Sequence, residues 1–171
     1  MNRNWVWRAL CAPLMALAVL AGALFDAPST GASQATAGEA VSGYSHQVEL
    51  AASSTSARQT AVDYAMAQVG KPYRWGGTGP GAFDCSGLTY KAYQAAGIDI
   101  PRNSWAQSQS GTPVARADLQ PGDLVFFYSP VSHVGMYIGD GMMVHASTRS
   151  KPIAVVSLSS MGGKYHSARR Y

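Results

Sequence analysis

Cys85 is the residue of the chain whose position most directly suggests chemistry. It stands in the segment Asp84-Cys85-Ser86-Gly87, where a glycine-rich stretch meets a predicted helix. Unpaired N–H groups and the helix dipole at such a start favour a thiolate and are placed to stabilise an oxyanion. The position predicts a nucleophile whose pKa is lowered from its free value, although a small buried cysteine without a chemical role fits the position alone equally well.

Two histidines, His133 and His145, lie in strand-like runs on either side of Gly139-Asp140-Gly141. If these three residues form the hairpin loop, Gly135 faces His145 and the two imidazoles share one face, with Cβ atoms roughly 7–8 Å apart. A two-residue loop would place them on opposite faces. We predict that His133 takes the proton of Cys85 and that His145 orients His133. A zinc site completed by Cys85, or two unrelated structural histidines, are the alternatives.

Residues 1–37 have the pattern of a secretory signal peptide. A basic start precedes an apolar run over 9–25, and small-residue cleavage sequences follow at 35–37 and, alternatively, at 21–23. The run is shorter than the ~20 residues of a membrane-spanning helix, so we expect cleavage and no stable membrane insertion afterwards. Cleavage would leave Cys85 as the only cysteine of an exported protein, without a disulfide.

The composition is typical of one folded, loop-rich domain. The chain has 171 residues, of which 47% are hydrophobic and 13% charged, and its net charge is +4. A net charge this small does not indicate a protein that binds nucleic acid. We expect no cofactor and no metal.

Helical patterns come first in the chain and strand patterns afterwards, which predicts an α+β fold with an antiparallel sheet. Residues 38–56 are rich in Ala, Ser and Gly and predict a flexible linker before a domain over 57–171. Ser104 is the predicted cap of the third helix, and His166 and the pair Arg169-Arg170 are assigned to the surface. The predicted helices are 57–69, 85–96 and 104–108, and the predicted strands are 123–128, 133–138, 142–146 and 153–158.

Taken in order, several segments of the chain resemble the NlpC/P60 family of papain-like cell-wall cysteine peptidases. The resemblance extends from about residue 61 to the end of the chain, and it implies the papain-like NlpC/P60 fold with a catalytic triad of Cys85, His133 and His145. The matching segments are Gly-Lys-Pro-Tyr at 70–73, Trp-Gly-Gly at 75–77, Phe-Asp-Cys-Ser-Gly at 83–87, Pro-Arg at 101–102, Leu-Gln-Pro-Gly-Asp-Leu-Val-Phe-Phe at 119–127, His-Val-Gly-Met-Tyr-Ile-Gly at 133–139 and His-Ala at 145–146.

The resemblance also implies an activity and a substrate. It implies a secreted cysteine endopeptidase, located at the cell wall, whose partner is the peptidoglycan stem peptide. The expected scissile bond joins γ-D-glutamate to the diamino acid that follows it. An amidase or acyltransferase on the same scaffold and a non-catalytic wall-binding domain are the alternative functions.

Five further residues match positions that bind substrate in this family. Tyr73 is expected to assist the oxyanion site, or to pack as a loop aromatic. Asp84 and Ser86 are expected to line the groove, although Asp84 also fits a helix cap. Arg102 and Ser104 are expected to contact the stem peptide, and a solvated surface arginine is the alternative for Arg102.

Overall fold

The structure is a computed structural model that describes the backbone of residues 38–171 and, apart from residues 38–48 and 51, their side chains. The predicted signal peptide over 1–37 lies outside the described residues. Within the described region, no helix is both long enough and apolar enough to cross a membrane.

Three α-helices precede the sheet: α1 (Gly38–Met66), α2 (Cys85–Ala95) and α3 (Ser104–Gln109). Helix α1 begins at Gly38, so it includes the 38–56 segment whose composition predicted a flexible linker. Residues 52–56 are exposed, and an exposed helical turn shows no apolar period in its sequence. Alanine is the best helix former and serine costs a helix little, so a segment with this composition can continue a helix.

Helices α2 and α3 each begin after a side-chain cap. The carboxylate of Asp84 caps α2 and accepts a hydrogen bond from the N–H of Gly87. The predicted cap of α3, Ser104, is instead its first helical residue, because the side chain of Asn103 accepts the N–H of Ala106 at 2.9 Å. Asparagine and serine are both good caps, so composition alone did not distinguish two adjacent candidates.

The sheet has six strands in the order β1-β6-β2-β3-β4-β5, and every neighbouring pair is antiparallel. The four predicted strands are confirmed as β2 to β5, with ends that differ by at most one residue. Two strands, β1 and β6, were not predicted. The strands are β1 (Thr112–Pro113), β2 (Leu124–Phe127), β3 (His133–Gly139), β4 (Met142–His145), β5 (Ala154–Ser157) and β6 (Tyr165–Arg170).

Strand β6 corrects the assignment of the Arg169-Arg170 pair to the surface. The guanidinium of Arg170 donates to both carboxylate oxygens of Asp123, at 2.7 Å each, and Asp123 is completely buried. Arg169 donates to the carbonyl oxygen of Ser108 at 2.7 Å. His166 is exposed, as predicted.

Both faces of the sheet are covered, so all four residues of β2 are buried. Leu124 and Phe126 belong to the core beneath α1 and α2. Val125 and Phe127 belong to a second core on the opposite face. Alternating side chains of one strand therefore contribute to two cores, which pack on opposite faces of the sheet.

Candidate active site

Cys85 is the first residue of α2, and its position is fixed by the carboxylate of Asp84. The two oxygens of Asp84 accept the N–H of Gly87 at 2.6 Å and the N–H of Gly76 at 2.8 Å. A Cβ atom at position 87 would overlap the carbonyl oxygen of Gly77. The glycine-rich loop and the first turn of α2 therefore pack backbone against backbone, which explains the glycines on both sides of the cysteine.

The β3–β4 hairpin combines features of the two loop lengths considered from the sequence. Met136 pairs with Val144, which is the register of the three-residue loop. The turn itself contains two residues, Asp140 and Gly141, with φ of 51° and 70°, and a β-bulge next to it accommodates the extra residue. The bulge thus preserves the register that puts both histidines on one face.

The two imidazoles are in direct contact. The Nε2 atom of His133 lies 2.9 Å from the Nδ1 atom of His145, and the ring planes meet at 77°. A Cβ atom at Gly135 would lie 2.6 Å from Sδ of Met143 and 3.4 Å from Cβ of His145. The missing side chain at position 135 leaves room for the side chains of Met143 and His145, and Gly135 lies beside His145 as the predicted register requires.

Cys85, His133 and Tyr73 line one cleft with a volume of about 260 Å³. The backbone N–H groups of Val134, next to His133, and of Cys85 and Ser86 favour the thiolate form of Cys85 and so act to lower its pKa. The start of α2 and the start of β3 therefore meet at the sulfur atom. The other lining residues are Trp75, Tyr128, Ser132, Ser147, Thr148 and Met161.

The pKa of the Cys85 thiol is raised, contrary to the lowering predicted from its place at a helix start. Burial is the largest cause, and the carboxylate of Asp84 adds to it. The backbone N–H groups lower the pKa but do not outweigh burial. The prediction counted the field of the helix and omitted the cost of burying a charge, which opposes that field here.

The histidine pair is neutral at physiological pH. Burial, together with the neighbouring ring of His145, lowers the pKa of His133 from 6.5 to about 4. Burial and the positive charge of Lys151 lower the pKa of His145 as well. The resting site thus holds a neutral thiol and a neutral imidazole. The neutral imidazole of His133 is able to accept a proton.

Asp84, Ser86 and Arg102 form a hydrogen-bonded group beside the nucleophile. The guanidinium of Arg102 donates to Oδ1 and Oδ2 of Asp84 at 3.1 and 2.8 Å and to the hydroxyl of Ser86 at 3.0 Å. Asp84 is therefore both a helix cap and the partner of Arg102. The side chain of Arg102 is 37% exposed, so it is neither a freely solvated arginine nor inaccessible to a ligand.

Of the two remaining predicted residues, Tyr73 lines the cleft and Ser104 does not. Burial together with the proximity of Cys85 and Asp84 raises the pKa of Tyr73. Ser104 is a half-buried residue at the start of α3. In the described part of the chain, no group of three His, Cys, Asp or Glu side chains is arranged to hold a metal ion.

Comparison with protein families identifies the domain that carries this site. The model of the NlpC/P60 family matches residues 70–170, which include Cys85, His133 and His145. This chain belongs to the NlpC/P60 family.

Curated relatives of this NlpC/P60 chain are named peptidases. A probable endopeptidase of Mycobacterium tuberculosis is 55% identical over 114 residues, which cover 67% of this chain and 29% of the relative. A probable endopeptidase of Corynebacterium glutamicum is 52% identical over 121 residues, or 71% of this chain and 57% of the relative. A gamma-D-glutamyl-L-lysine dipeptidyl-peptidase of Bacillus cereus is 44% identical over 110 residues, or 60% of this chain and 33% of that protein. The chain thus spans less than two thirds of the length of each.

Solved NlpC/P60 structures share its fold. An NlpC/P60 family protein from Bacillus cereus superposes with a TM-score of 0.64 at 40% identity, covering 67% of this chain and 40% of that one. The peptidoglycan hydrolase RipB from Mycobacterium tuberculosis superposes with a TM-score of 0.63 at 30% identity, covering 70% of this chain and 66% of that one. The α+β, papain-like fold expected from the sequence is confirmed.

Sequence reasoning missed part of the wall of this NlpC/P60 cleft. Tyr128, Ser147, Thr148 and Met161 line it, and they lie in connections after β2, β4 and β5 rather than in any motif. Tyr128 has a positive φ of 74°, which is uncommon for a residue other than glycine. Only the fold shows that these connections meet at the nucleophile.

Proposed function

We propose that this chain is a secreted cysteine endopeptidase that hydrolyses peptidoglycan stem peptides at the bond between γ-D-glutamate and the following diamino acid. The observation that carries the proposal is that Cys85, at the start of α2, and His133 line one cleft, while His133 is hydrogen-bonded to His145. The names of the relatives support a peptidase that acts on this class of bond.

The contact between the histidines determines the tautomers that catalysis requires. His133 has Nε2 against His145, which leaves its Nδ1 to accept the thiol proton. Nε2 of His133 then carries the ring proton and donates it to Nδ1 of His145. His145 stabilises the imidazolium that forms when His133 is protonated, because it accepts a hydrogen bond from it.

In the first chemical step, the sulfur of Cys85 attacks the carbonyl carbon of the scissile amide while His133 takes the thiol proton. The N–H groups at the start of α2, with the hydroxyl of Tyr73, are the donors proposed for the oxyanion. The tetrahedral intermediate collapses as His133 gives the proton to the leaving amine, and a thioester remains on Cys85. Water, deprotonated by His133, attacks the thioester carbonyl and releases the acid and the thiol.

Asp84, Ser86, Arg102 and Ser104 are the proposed contacts to the stem peptide. A stem peptide carries carboxylates, and the partly exposed guanidinium of Arg102 provides a charge and donors of the geometry that carboxylates match. Export through residues 1–37 is proposed from their sequence pattern, which would deliver the enzyme to the cell wall, where its substrate lies.

Mass spectrometry of purified peptidoglycan after incubation with the chain tests the proposal. Fragments that end in D-glutamate are expected from the wild type and are expected to be absent with the Cys85→Ala variant. The new amino-terminal residue of the complementary fragment identifies the diamino acid.

Other products would replace the proposal with one of its alternatives. Release of whole stem peptides from the glycan would identify an amidase, and products joined to an added amine would identify an acyltransferase. Binding of both proteins to the wall without any product would indicate a wall-binding domain.

A further inference from the structure

Gln107 is a completely buried polar residue of α3 that lies outside the catalytic cleft. Its Nε2 donates to the carbonyl oxygens of Pro101 at 2.7 Å and of Ser86 at 3.2 Å. Its Oε1 accepts a hydrogen bond from the hydroxyl of Thr89 at 3.0 Å. A glutamine amide has two N–H donors and one oxygen, so each of its polar groups is used in this one arrangement.

These contacts join the two segments that form the proposed binding group. Pro101 precedes Arg102 in the chain, and Ser86 follows Cys85 in α2. The guanidinium of Arg102 connects the same two segments through Asp84 and Ser86. The segments are therefore linked twice, by a charged contact that is partly exposed and by a neutral contact that is buried.

The backbone of Gln107 is itself held in place. Its N–H donates to the carbonyl oxygen of Asn103 at 3.0 Å within α3. Its carbonyl oxygen accepts the hydroxyl of Tyr171 at 2.7 Å, and the ring of Tyr171 packs on the buried Tyr93. The backbone of Gln107 is thus fixed, and its side chain projects towards α2.

We infer that Gln107 is a positioning residue of the stem-peptide site, which holds the backbone of Arg102 at a set distance from Asp84 and Ser86. An arginine side chain has many rotamers, and its bidentate geometry is retained only where the backbone beneath it is fixed. The inference rests on the proposed function, since it assigns Gln107 to the binding of the same substrate. Gln107 touches neither the cleft nor the reacting atoms, so it acts through Arg102.

Replacement of Gln107 by methionine tests the inference. Methionine has a similar length and flexibility but makes none of the three hydrogen bonds. We expect kcat/KM for a soluble stem peptide to fall about 10-fold or more, mainly through a higher KM, because small displacements of a binding group are costly. Gln109→Met is the matched control, since Gln109 lies two residues further along α3 and is exposed; its kcat/KM is expected to equal that of the wild type.

A double-mutant cycle with Arg102→Met distinguishes positioning from a general structural role. If Gln107 acts through Arg102, then Gln107→Met costs less than about 2-fold in kcat/KM when Arg102 is already replaced. Equal losses in the two backgrounds would overturn the inference. A KM of Gln107→Met equal to that of the wild type would also overturn the inference.

Thr89→Val supplies a milder variant if Gln107→Met does not fold. It removes the hydroxyl that orients the amide of Gln107 but leaves both carbonyl oxygens with their donors. We expect a smaller rise in KM that again disappears in the Arg102→Met background, and a rise that persists there would contradict the inference. An inactive wild type would overturn the proposed function, whereas an active wild type with additive losses would overturn only the role of Gln107.

Discussion

The Nε2 atom of His133 lies 2.9 Å from the Nδ1 atom of His145. The contact occupies Nε2 of His133, so Nδ1 is the nitrogen of this ring that is left for a proton from Cys85. Nδ1 accepts that proton in the tautomer in which Nε2 carries the ring proton and donates to His145, and His145 then orients the ring of His133.

His145→Ala is expected to retain measurable activity, whereas His133→Ala is expected to be as inactive as Cys85→Ala. Loss of an orienting residue lowers kcat/KM less than loss of the base does. We therefore expect kcat/KM of His145→Ala to exceed that of His133→Ala by about 100-fold. Kinetics with a soluble stem peptide measure this difference. His166→Ala, which replaces an exposed histidine, is the control. Activity of His145→Ala equal to that of the wild type would show that His145 has no role in the reaction.

The acid limb of the pH profile of kcat/KM is expected near pH 4. His133 acts as a base only when neutral, and burial beside His145 lowers its pKa to about 4. Activity should therefore fall only below the usual range of histidine. The profile is measured where circular dichroism shows the native fold. A wild-type midpoint near 6.5 would contradict the neutral pair.

The free energy of unfolding is expected to fall as the pH is lowered from about 6.5 to 4. His133 has a pKa of about 4 in the fold and 6.5 as its ordinary value, so the unfolded chain binds more protons in this window. The stability present above pH 6.5 is thus lost on acidification, by an amount on the order of 3 kcal/mol. Urea denaturation across the window measures it. His133→Asn should flatten the dependence, and an unchanged slope would assign the effect to other groups.

Arg170→Met is expected to destabilise the fold by about 3–5 kcal/mol, because it leaves the buried carboxylate of Asp123 without a counter-charge. Asp123 is completely buried and receives two hydrogen bonds from Arg170. Chemical denaturation measures the loss, with Arg149→Met, at an exposed position, as the control. A change below about 1 kcal/mol would show that Asp123 finds another partner in the variant.

The nucleophile's helix and the histidine hairpin could be predicted because each has a strong local signal. Asp84 followed by Cys85 marks a capped helix start, and the Gly-Asp-Gly turn separates two apolar strands. Strand β6 has no such signal: along Tyr165–Arg170 only Ala168 is buried, and the strand is held by backbone pairing to β2 and by the ion pair of Arg170. Contacts of that kind join residues far apart in the chain and leave no period in the sequence.

The pKa of Cys85 and the role of Gln107 could not be predicted for a related reason. The helix start around Cys85 is a local feature, but its burial depends on how β3 packs against it. Gln107 stands in a polar stretch whose sequence does not show that its side chain reaches Ser86, 21 residues earlier. Local patterns predicted where the reactive groups are, whereas their electrostatic environment depends on the folded packing.

The place of β6 in the sheet determines when the sheet can be completed during synthesis. In the described chain, β6 follows every other strand in sequence, yet it lies beside β2, which in turn pairs with the strand of His133. A nascent polypeptide that lacks β6 has an unpaired edge on β2 and an Asp123 without Arg170. The sheet therefore closes late, after synthesis has passed the last strand, because pairings distant in sequence must await both partners. Until that moment the buried carboxylate of Asp123 lacks Arg170, and β2, the neighbour of the strand of His133, lacks one of its two partners. An incomplete chain is therefore expected to be less stable than the finished domain.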